Sequence, residues 1–136
     1  MTKKSSFKNI EPHNFLKFQK VSQNFYSGAD LAFQFEYFNA AGILIIHSAI
    51  ALADSLTIKK SSKKCSGDNH FDIIQLLKDV TPPHKNKNIA IDNLKYLIEH
   101  KNIVSYSGDI YHKKDVEKLF KYFHRFETWA NFIIND

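Results

Sequence analysis

The sequence is short of the residues that make tight turns and covalent cross-links. Its 136 residues include four glycines, three prolines and a single cysteine, Cys65. A β-sandwich needs many tight turns and the glycines that form them, so this composition favours helices. One cysteine excludes an intramolecular disulfide and a zinc site built from cysteines, which fits a reducing compartment. We therefore expect a helical, cytoplasmic protein.

The chain also lacks an apolar segment near its start and a long uninterrupted apolar run. Its first ten residues, MTKKSSFKNI, are charged and polar, so we expect a disordered polar tail over 1–10 and no signal peptide. The longest apolar stretch, Ala40 to Ala53, is shorter than the roughly 20 residues that span a bilayer. Residues 11–136 are about the length of one domain, and we expect that domain to make no contact with a membrane.

Arginine is nearly absent, although the formal net charge is +5. Eighteen lysines accompany one arginine, Arg125. A positive surplus is typical of proteins with nucleic-acid or other acidic partners. However, proteins that read phosphates and bases favour the planar fork of arginine. The bias towards lysine also fits the codon usage of an AT-rich genome, so charge alone leaves both explanations open.

The spacing of the apolar residues predicts four to five helices in an antiparallel up-and-down bundle, an all-α fold. The second helix is apolar or small on nearly every side, so we expect it to be the central one. The predicted elements are a helix from Pro12, a corner at Asn39–Gly42, the central helix, a loop over Lys59–Asp68, a short helix from about Asn69 to Val80, a helix over Ile91–Val104, and a last helix from about His112.

Lys101 interrupts an apolar stripe of the fourth predicted helix. Leu94, Leu97, Lys101 and Val104 follow the spacing of a face that packs into a core. Burying a charge without a partner is costly. We therefore expect Lys101 to reach solvent at the end of the bundle, to pair with an acid, or to face a cleft.

A second set of polar residues lies on and after the central helix. His47 and Asp54 are seven residues apart and share a face, and Asp68 and His70 follow the basic loop. These four residues are interpreted as a buried hydrogen-bond network, with Asp68 or Asn69 capping the next helix. Seven helical residues rise about 10 Å, too far for His47 and Asp54 to share an ion, so we expect no metal and no cofactor.

Two segments of the chain resemble the HEPN superfamily of small bacterial and archaeal helical domains. Residues 47–77 read HSAIALADSLTIKKSSKKCSGDNHFDIIQLL, with small residues around an aspartate, a basic loop and then Gly-Asp-x-His. Residues 101–130 read KNIVSYSGDIYHKKDVEKLFKYFHRFETWA. The resemblance covers about two thirds of the chain and implies a HEPN-like bundle.

HEPN ribonucleases carry an arginine, a polar residue and, four to six residues later, a histidine, which act at a dimer interface without metal. The matching positions here are Lys101, Asn102 and Tyr106. Lysine and tyrosine can still bind a phosphate. Tyrosine, with an ordinary pKa of about 10, exchanges protons near neutral pH less readily than histidine. His112, beyond the fourth helix, is a candidate substitute.

This resemblance implies an accessory protein that associates with nucleotide or RNA. Lys101, Asn102 and Tyr106 would bind the phosphate, supported by His47, Asp54, Asp68 and His70. The implied partners are a second copy of the chain and a nucleotidyltransferase, in a toxin–antitoxin or defence setting. An alternative is a metal-independent endoribonuclease that uses Lys101, Tyr106 and His112. A further alternative is an interaction module without a ligand, whose surface is formed by Phe33, Phe35, Tyr37 and Phe38.

Overall fold

The computed structural model describes residues 7–66 and 70–136, which form a helical bundle with one small sheet. The prediction of an all-α bundle is confirmed, and the sheet is an addition to it. The helices are α1 (Phe15–Gln34), α2 (Phe38–Ser61), α3 (Asp72–Val80), α4 (Lys87–Tyr106) and α5 (Lys113–Ile134). The strands are β1 (Phe7–Asn9) and β2 (Lys63–Cys65), and a single 3-10 turn covers Pro12–Asn14.

Helix α2 is the centre of the bundle and packs against each of the other four helices. Fifteen of its 24 residues are buried, as expected for a helix that is apolar on all sides. It continues to Ser61, eight residues beyond Ala53, so by length and composition it is long enough to cross a membrane. The helix is thus longer than the apolar stretch Ala40 to Ala53 that marks its centre in the sequence. However, 83% of its most apolar 18-residue window is buried inside the bundle, as in the core helix of a soluble protein.

Helices α1 and α2 run antiparallel and approach closely where small residues meet. The hydroxyl of Ser22 donates to the backbone oxygen of Ser48 at 2.7 Å, and the hydroxyl of Ser48 donates to the backbone oxygen of Ser22 at 2.7 Å. These reciprocal bonds satisfy both buried hydroxyls. One and a half turns further along α1, a Cβ added to Gly28 would lie 3.4 Å from Leu44.

The expected corner at Asn39–Gly42 lies inside α2, because the turn comes earlier, at residues 35–37. Glu36 has a φ of 64°, which turns the chain there without a glycine. Gly42 instead allows close packing: a Cβ at this position would lie 3.1 Å from Val104 of α4 and 3.3 Å from Leu119 of α5. The expected corner is therefore wrong, and Gly42 lies in a three-helix contact.

The loop expected over 59–68 and the tail expected over 1–10 each contain a strand. Helix α2 continues through Lys59 and Lys60, and the chain then turns at Ser62, where φ is 57°. Strand β2 pairs antiparallel with β1, with Phe7 opposite Cys65 and Asn9 opposite Lys63. The tail prediction is therefore wrong over 7–9. Residues 1–6 of that tail, together with Asp68 and Asn69, lie outside the described residues.

The second half of the bundle follows the predicted pattern more closely. Helix α3 has Phe71 as its N-cap and ends before Thr81 and its two prolines. Helices α4 and α5 are joined by residues 107–112 and run antiparallel, since Tyr96 contacts Tyr122 while Ala90 and Trp129 line one cleft. Helix α5 begins directly after His112, as expected.

Candidate functional site

The three residues expected to bind phosphate lie in the last turns of α4 but do not converge. Lys101 is half-buried, Asn102 is exposed, and the Tyr106 side chain is 82% exposed. Five helical residues separate Lys101 from Tyr106, which places them roughly 140° apart around the helix axis. Within one chain these two side chains therefore start from different sides of α4.

Lys101 lies close enough to His47 of α2 for its charge to act on that side chain. His47 is half-buried, and its ring centroid lies 5.6 Å from that of Phe25. Burial lowers the pKa of His47, and the positive charge of Lys101 lowers it further. His47 is therefore a neutral imidazole at pH 7, because both burial and the nearby Lys101 disfavour its protonated form.

Asp54 has a different partner from His47. Its carboxylate is buried and lies 3.8 Å from Nζ of Lys64 on β2. Burial raises the pKa of Asp54 to about 7, and the nearby Lys64 opposes this rise. His70 is half-buried in the turn before α3, and Asp68 lies outside the described residues. His47 and Asp54, which were expected to share one network, therefore interact with different charged residues, Lys101 and Lys64 respectively.

His112 caps α5. Its backbone N–H donates to the Asp115 carboxylate at 2.8 Å, one half of a capping box. The imidazole itself is exposed, on the side of the chain that faces the α1–α2 turn. His112 therefore has a clear structural role at the start of α5.

A cleft of about 540 Å³ opens between the end of α4 and the start of α5. This volume lies within the range of small-molecule sites. It combines rings, a cation and carboxylates, and is lined by Tyr96, His100, Ile103, Asp109, Ile110, Tyr111, Asp115 and Lys118. We call it the upper cleft.

His100 and Tyr111 form a hydrogen-bonded pair in the upper cleft. Nδ1 of His100 lies 2.8 Å from the hydroxyl of Tyr111, and the Tyr96 ring packs on the imidazole at a centroid distance of 4.4 Å. Burial lowers the pKa of His100, and burial also raises the pKa of Tyr111. Both groups are consequently neutral at pH 7, so the pair can donate and accept hydrogen bonds without carrying charge.

Lys118 supplies the positive charge beside this pair. Its Nζ lies 5.2 Å from the centroid of the Tyr96 ring, within cation–π distance. A hydrogen bond to Tyr96 raises the pKa of Lys118, so the ammonium group keeps its charge. The Tyr96 and Tyr122 rings meet edge to face at 4.5 Å, and the Arg125 guanidinium lies 5.6 Å from the Tyr122 ring. Aromatic rings and cations therefore alternate along this edge of the bundle.

Asn39 at the start of α2 fixes the wall of the cleft. Its side-chain amide donates to the backbone oxygens of Val104 at 3.0 Å and Asp109 at 2.9 Å. Its side-chain oxygen accepts the backbone N–H of Tyr111 at 2.8 Å. These three bonds hold the α4–α5 connection against α2 and position Tyr111 beside His100.

Sequence reasoning missed the upper cleft, although a signal was present. Tyr96, His100 and Ile103 recur at four and three residues on α4, and Lys118, Tyr122 and Arg125 do the same on α5. Such spacing places each set on one helix face. The HEPN resemblance points instead to Lys101, Asn102 and Tyr106, which do not line this cleft.

The aromatic surface expected near the first helix divides into two parts. Phe33 and Phe38 pack together at 5.7 Å and are partly buried against the core. Phe35 and Tyr37 remain 64% and 68% exposed. The exposed part is therefore half of the predicted surface and lies in the α1–α2 turn.

Comparison with known proteins gives no match to a family model, to a curated protein or to a solved structure. The chemistry of the cleft is therefore argued from its own side chains. Within residues 7–66 and 70–136, no group of three or more His, Cys, Asp and Glu side chains is arranged to hold a metal ion.

Proposed function

We propose that this chain is a HEPN-like helical bundle that associates with nucleotide or RNA, and that the upper cleft binds the nucleotide. The observation that carries the proposal is the juxtaposition of a neutral His100–Tyr111 pair with the Lys118 ammonium across the Tyr96 ring. A nucleotide offers a matching set of groups: a flat base with hydrogen-bonding edges, joined through a sugar to a phosphate.

The base belongs on the neutral side of the cleft. Tyr96 offers an aromatic face, and aromatic stacking is a common way to hold a base without regard to its sequence. His100 and Tyr111 can hydrogen-bond to the edge of the base, and the Asp109 and Asp115 carboxylates can accept from exocyclic amino groups. The Asp115 carboxylate also lies near Lys118 and offsets part of the positive charge there.

The phosphate belongs beside Lys118. This ammonium group lies over the Tyr96 ring, on the side of α5 that continues towards Arg125. A lysine binds phosphate as a compact point charge with three donors. In this proposal Lys101 and Tyr106 are not the principal phosphate-binding residues, although Tyr106 remains accessible to a partner.

The setting proposed for this activity follows from the HEPN resemblance: a cytoplasmic homodimer that works with a nucleotidyltransferase in a toxin–antitoxin or defence module. Support for it comes from the two sequence segments, from the net charge of +5 and from the helical bundle. Analytical ultracentrifugation of the purified chain tests the homodimer directly.

Nucleotide binding tests the proposal. Fluorescently labelled UMP and AMP are titrated with wild type, Lys118→Gln and the matched control Lys121→Gln, an exposed lysine one turn along α5. We expect Lys118→Gln to weaken binding about tenfold, and Lys121→Gln to change it less than twofold. Equal affinities for all three proteins, or no binding by wild type, would refute the proposal. Lys101→Ala in the same assay distinguishes the upper cleft from the motif at the end of α4.

A metal-independent endoribonuclease is the second candidate, and the His100–Tyr111 pair favours it. An imidazole with a lowered pKa is unprotonated at pH 7 and is available as a general base. The test is cleavage of a fluorescent mixed-sequence RNA in chelator by wild type, His100→Ala, Lys101→Ala and Tyr106→Phe. Cleavage that is lost in His100→Ala would support a nuclease at the upper cleft. Loss in Lys101→Ala and Tyr106→Phe would support the HEPN motif instead. We expect no cleavage by any of the four.

A further inference from the structure

A second cleft opens further down the same pair of helices. It has a volume of about 300 Å³ and lies between the first turns of α4 and the second half of α5. Its lining includes Asn86, Ile89, Arg125 and Trp129. We call it the lower cleft. Arg125 is the single arginine and Trp129 the single tryptophan of the whole sequence.

The two clefts lie on the same face of the α4–α5 pair. On α5, Lys118 lines the upper cleft while Arg125 and Trp129 line the lower one, and Tyr122 lies between them. Their spacings of four, three and four residues keep all four side chains on one side of the helix. On α4, Ile89, Tyr96 and Ile103 recur every seven residues and line the same edge.

Ring and cation contacts on this face of the α4–α5 pair lead from the upper cleft to the lower cleft. The Tyr96 and Tyr122 rings are 4.5 Å apart, and Lys118 lies 5.9 Å from the Tyr122 ring. The Arg125 guanidinium lies 5.6 Å from the same ring. A cation, a pair of rings and a second cation thus follow one another from the upper cleft to the lower cleft.

The length of this array exceeds one nucleotide. From Lys118 to Trp129 helix α5 rises about 16 Å, at 1.5 Å per residue. Stacked nucleotides in one strand are about 3.4 Å apart. Alternating rings and cations along a groove are the features that bind single strands with little sequence preference. One mononucleotide would occupy the upper cleft and leave Arg125 unused.

We propose that the α4–α5 groove binds a short single strand of nucleic acid, with one nucleotide in the upper cleft and the following nucleotides on Tyr122, Arg125 and the lower cleft. This inference rests on the proposed function, because it takes the upper cleft as the first nucleotide site. It names the ligand class as an oligonucleotide. RNA and DNA share the chemistry invoked, and the experiment separates them.

The test compares ligands of increasing length. UMP, a uridine tetramer and a uridine octamer are titrated with the full chain at low salt, in parallel with the corresponding thymidine compounds. Two readouts are recorded: affinity by fluorescence anisotropy, and the intrinsic emission of Trp129. Proteins are wild type, Lys118→Gln, Arg125→Gln and Lys121→Gln. Arg125 is exposed, so its replacement does not threaten folding.

We expect the tetramer to bind wild type at least about tenfold more tightly than UMP. Arg125→Gln should abolish that gain and leave UMP binding unchanged, while Lys121→Gln should keep it. Trp129 emission should change with the oligomers and not with UMP. A larger gain for uridine than for thymidine oligomers would identify RNA as the ligand.

Different outcomes overturn different claims. If UMP binds in a Lys118-dependent way but length adds nothing, the groove is wrong and the upper cleft stands. If oligomers bind Arg125→Gln as tightly as wild type, the strand does not follow this groove. If no ligand binds, the groove and the proposed function both fail.

Discussion

Replacing Asp54 by asparagine should make the protein more stable, and increasingly so as the pH rises. The carboxylate of Asp54 on α2 is buried, and its ion pair with Lys64 of β2 is long at 3.8 Å. Burial therefore dominates and raises the pKa of Asp54 from 3.8 to about 7. Asparagine has nearly the same shape and cannot ionise.

The size of the effect follows from proton linkage. Between pH 4 and 7 the folded protein keeps a proton on Asp54 that the unfolded chain has lost, so the free energy of unfolding falls as the pH rises. The stability that protonated Asp54 contributes is fully present below pH 3.8, the pKa of Asp54 in the unfolded chain. It is lost as the pH rises to about 7, the pKa of Asp54 in the folded protein. The total loss is about 4 kcal/mol, and about 2.5 kcal/mol of it falls between pH 5 and pH 8.

Urea denaturation of wild type and Asp54→Asn at pH 5 and pH 8 measures this loss. Other carboxylates titrate equally in both proteins, so the difference between the two free energies of unfolding isolates Asp54. We expect that difference to grow by about 2.5 kcal/mol in favour of the variant. In Lys64→Gln, which removes the opposing cation, the loss should extend to higher pH. A difference that does not change with pH would refute the reasoning.

Three further variants test the packing around α2, each by urea denaturation. Gly28→Ala should raise the free energy of unfolding by about 0.5–1 kcal/mol, because the new Cβ makes an ordinary 3.4 Å contact and alanine favours the helix. Gly42→Ala should lower it by about 1 kcal/mol, since overpacking against buried Val104 at 3.1 Å outweighs that gain; a more stable variant would contradict this. Asn39→Ala should lower the free energy of unfolding by about 2–3 kcal/mol, because three hydrogen bonds are lost. It should also speed the hydrogen exchange of the backbone amides just before α5. Unchanged exchange would show that Asn39 does not hold this connection.

The helices of this fold could be predicted because local signals agree with the packing. The two prolines after Thr81 stop α3, and the apolar spacing of α4 and α5 matches their buried faces. The sheet could not be predicted in this way. Strands β1 and β2 are three residues each, are rich in lysine, and pair across more than 50 residues of chain. Composition alone describes such segments as polar loops.

The site was harder to predict than the fold because it depends on how two helices are rotated. Lys101 was singled out as a charge on an apolar stripe, and the structure does place it half-buried and near His47. Its expected partner Tyr106 lies on another side of α4. The pairing of His100 with Tyr111 requires a turn fixed by Asn39, which lies 72 residues before Tyr111, and no local sequence pattern indicates that contact.

The way the chain is anchored at the far end of α2 has a practical consequence for handling the protein. Strand β1 pairs with β2 just beyond the end of α2, and Lys59 of α2 donates to the backbone oxygen of Ile134 at the end of α5. Phe7 and Ile134 are thus brought to the same end of the bundle, about 30 Å along α2 from Asn39 and the upper cleft. A dye, an affinity handle or a fused domain attached at this end of the bundle would leave the upper cleft open, whereas the lower cleft lies only five residues of α5 from Ile134. Because Phe7 and Ile134 lie at the same end of the bundle, a short linker could join them in a circular permutant whose new termini are placed in a loop elsewhere.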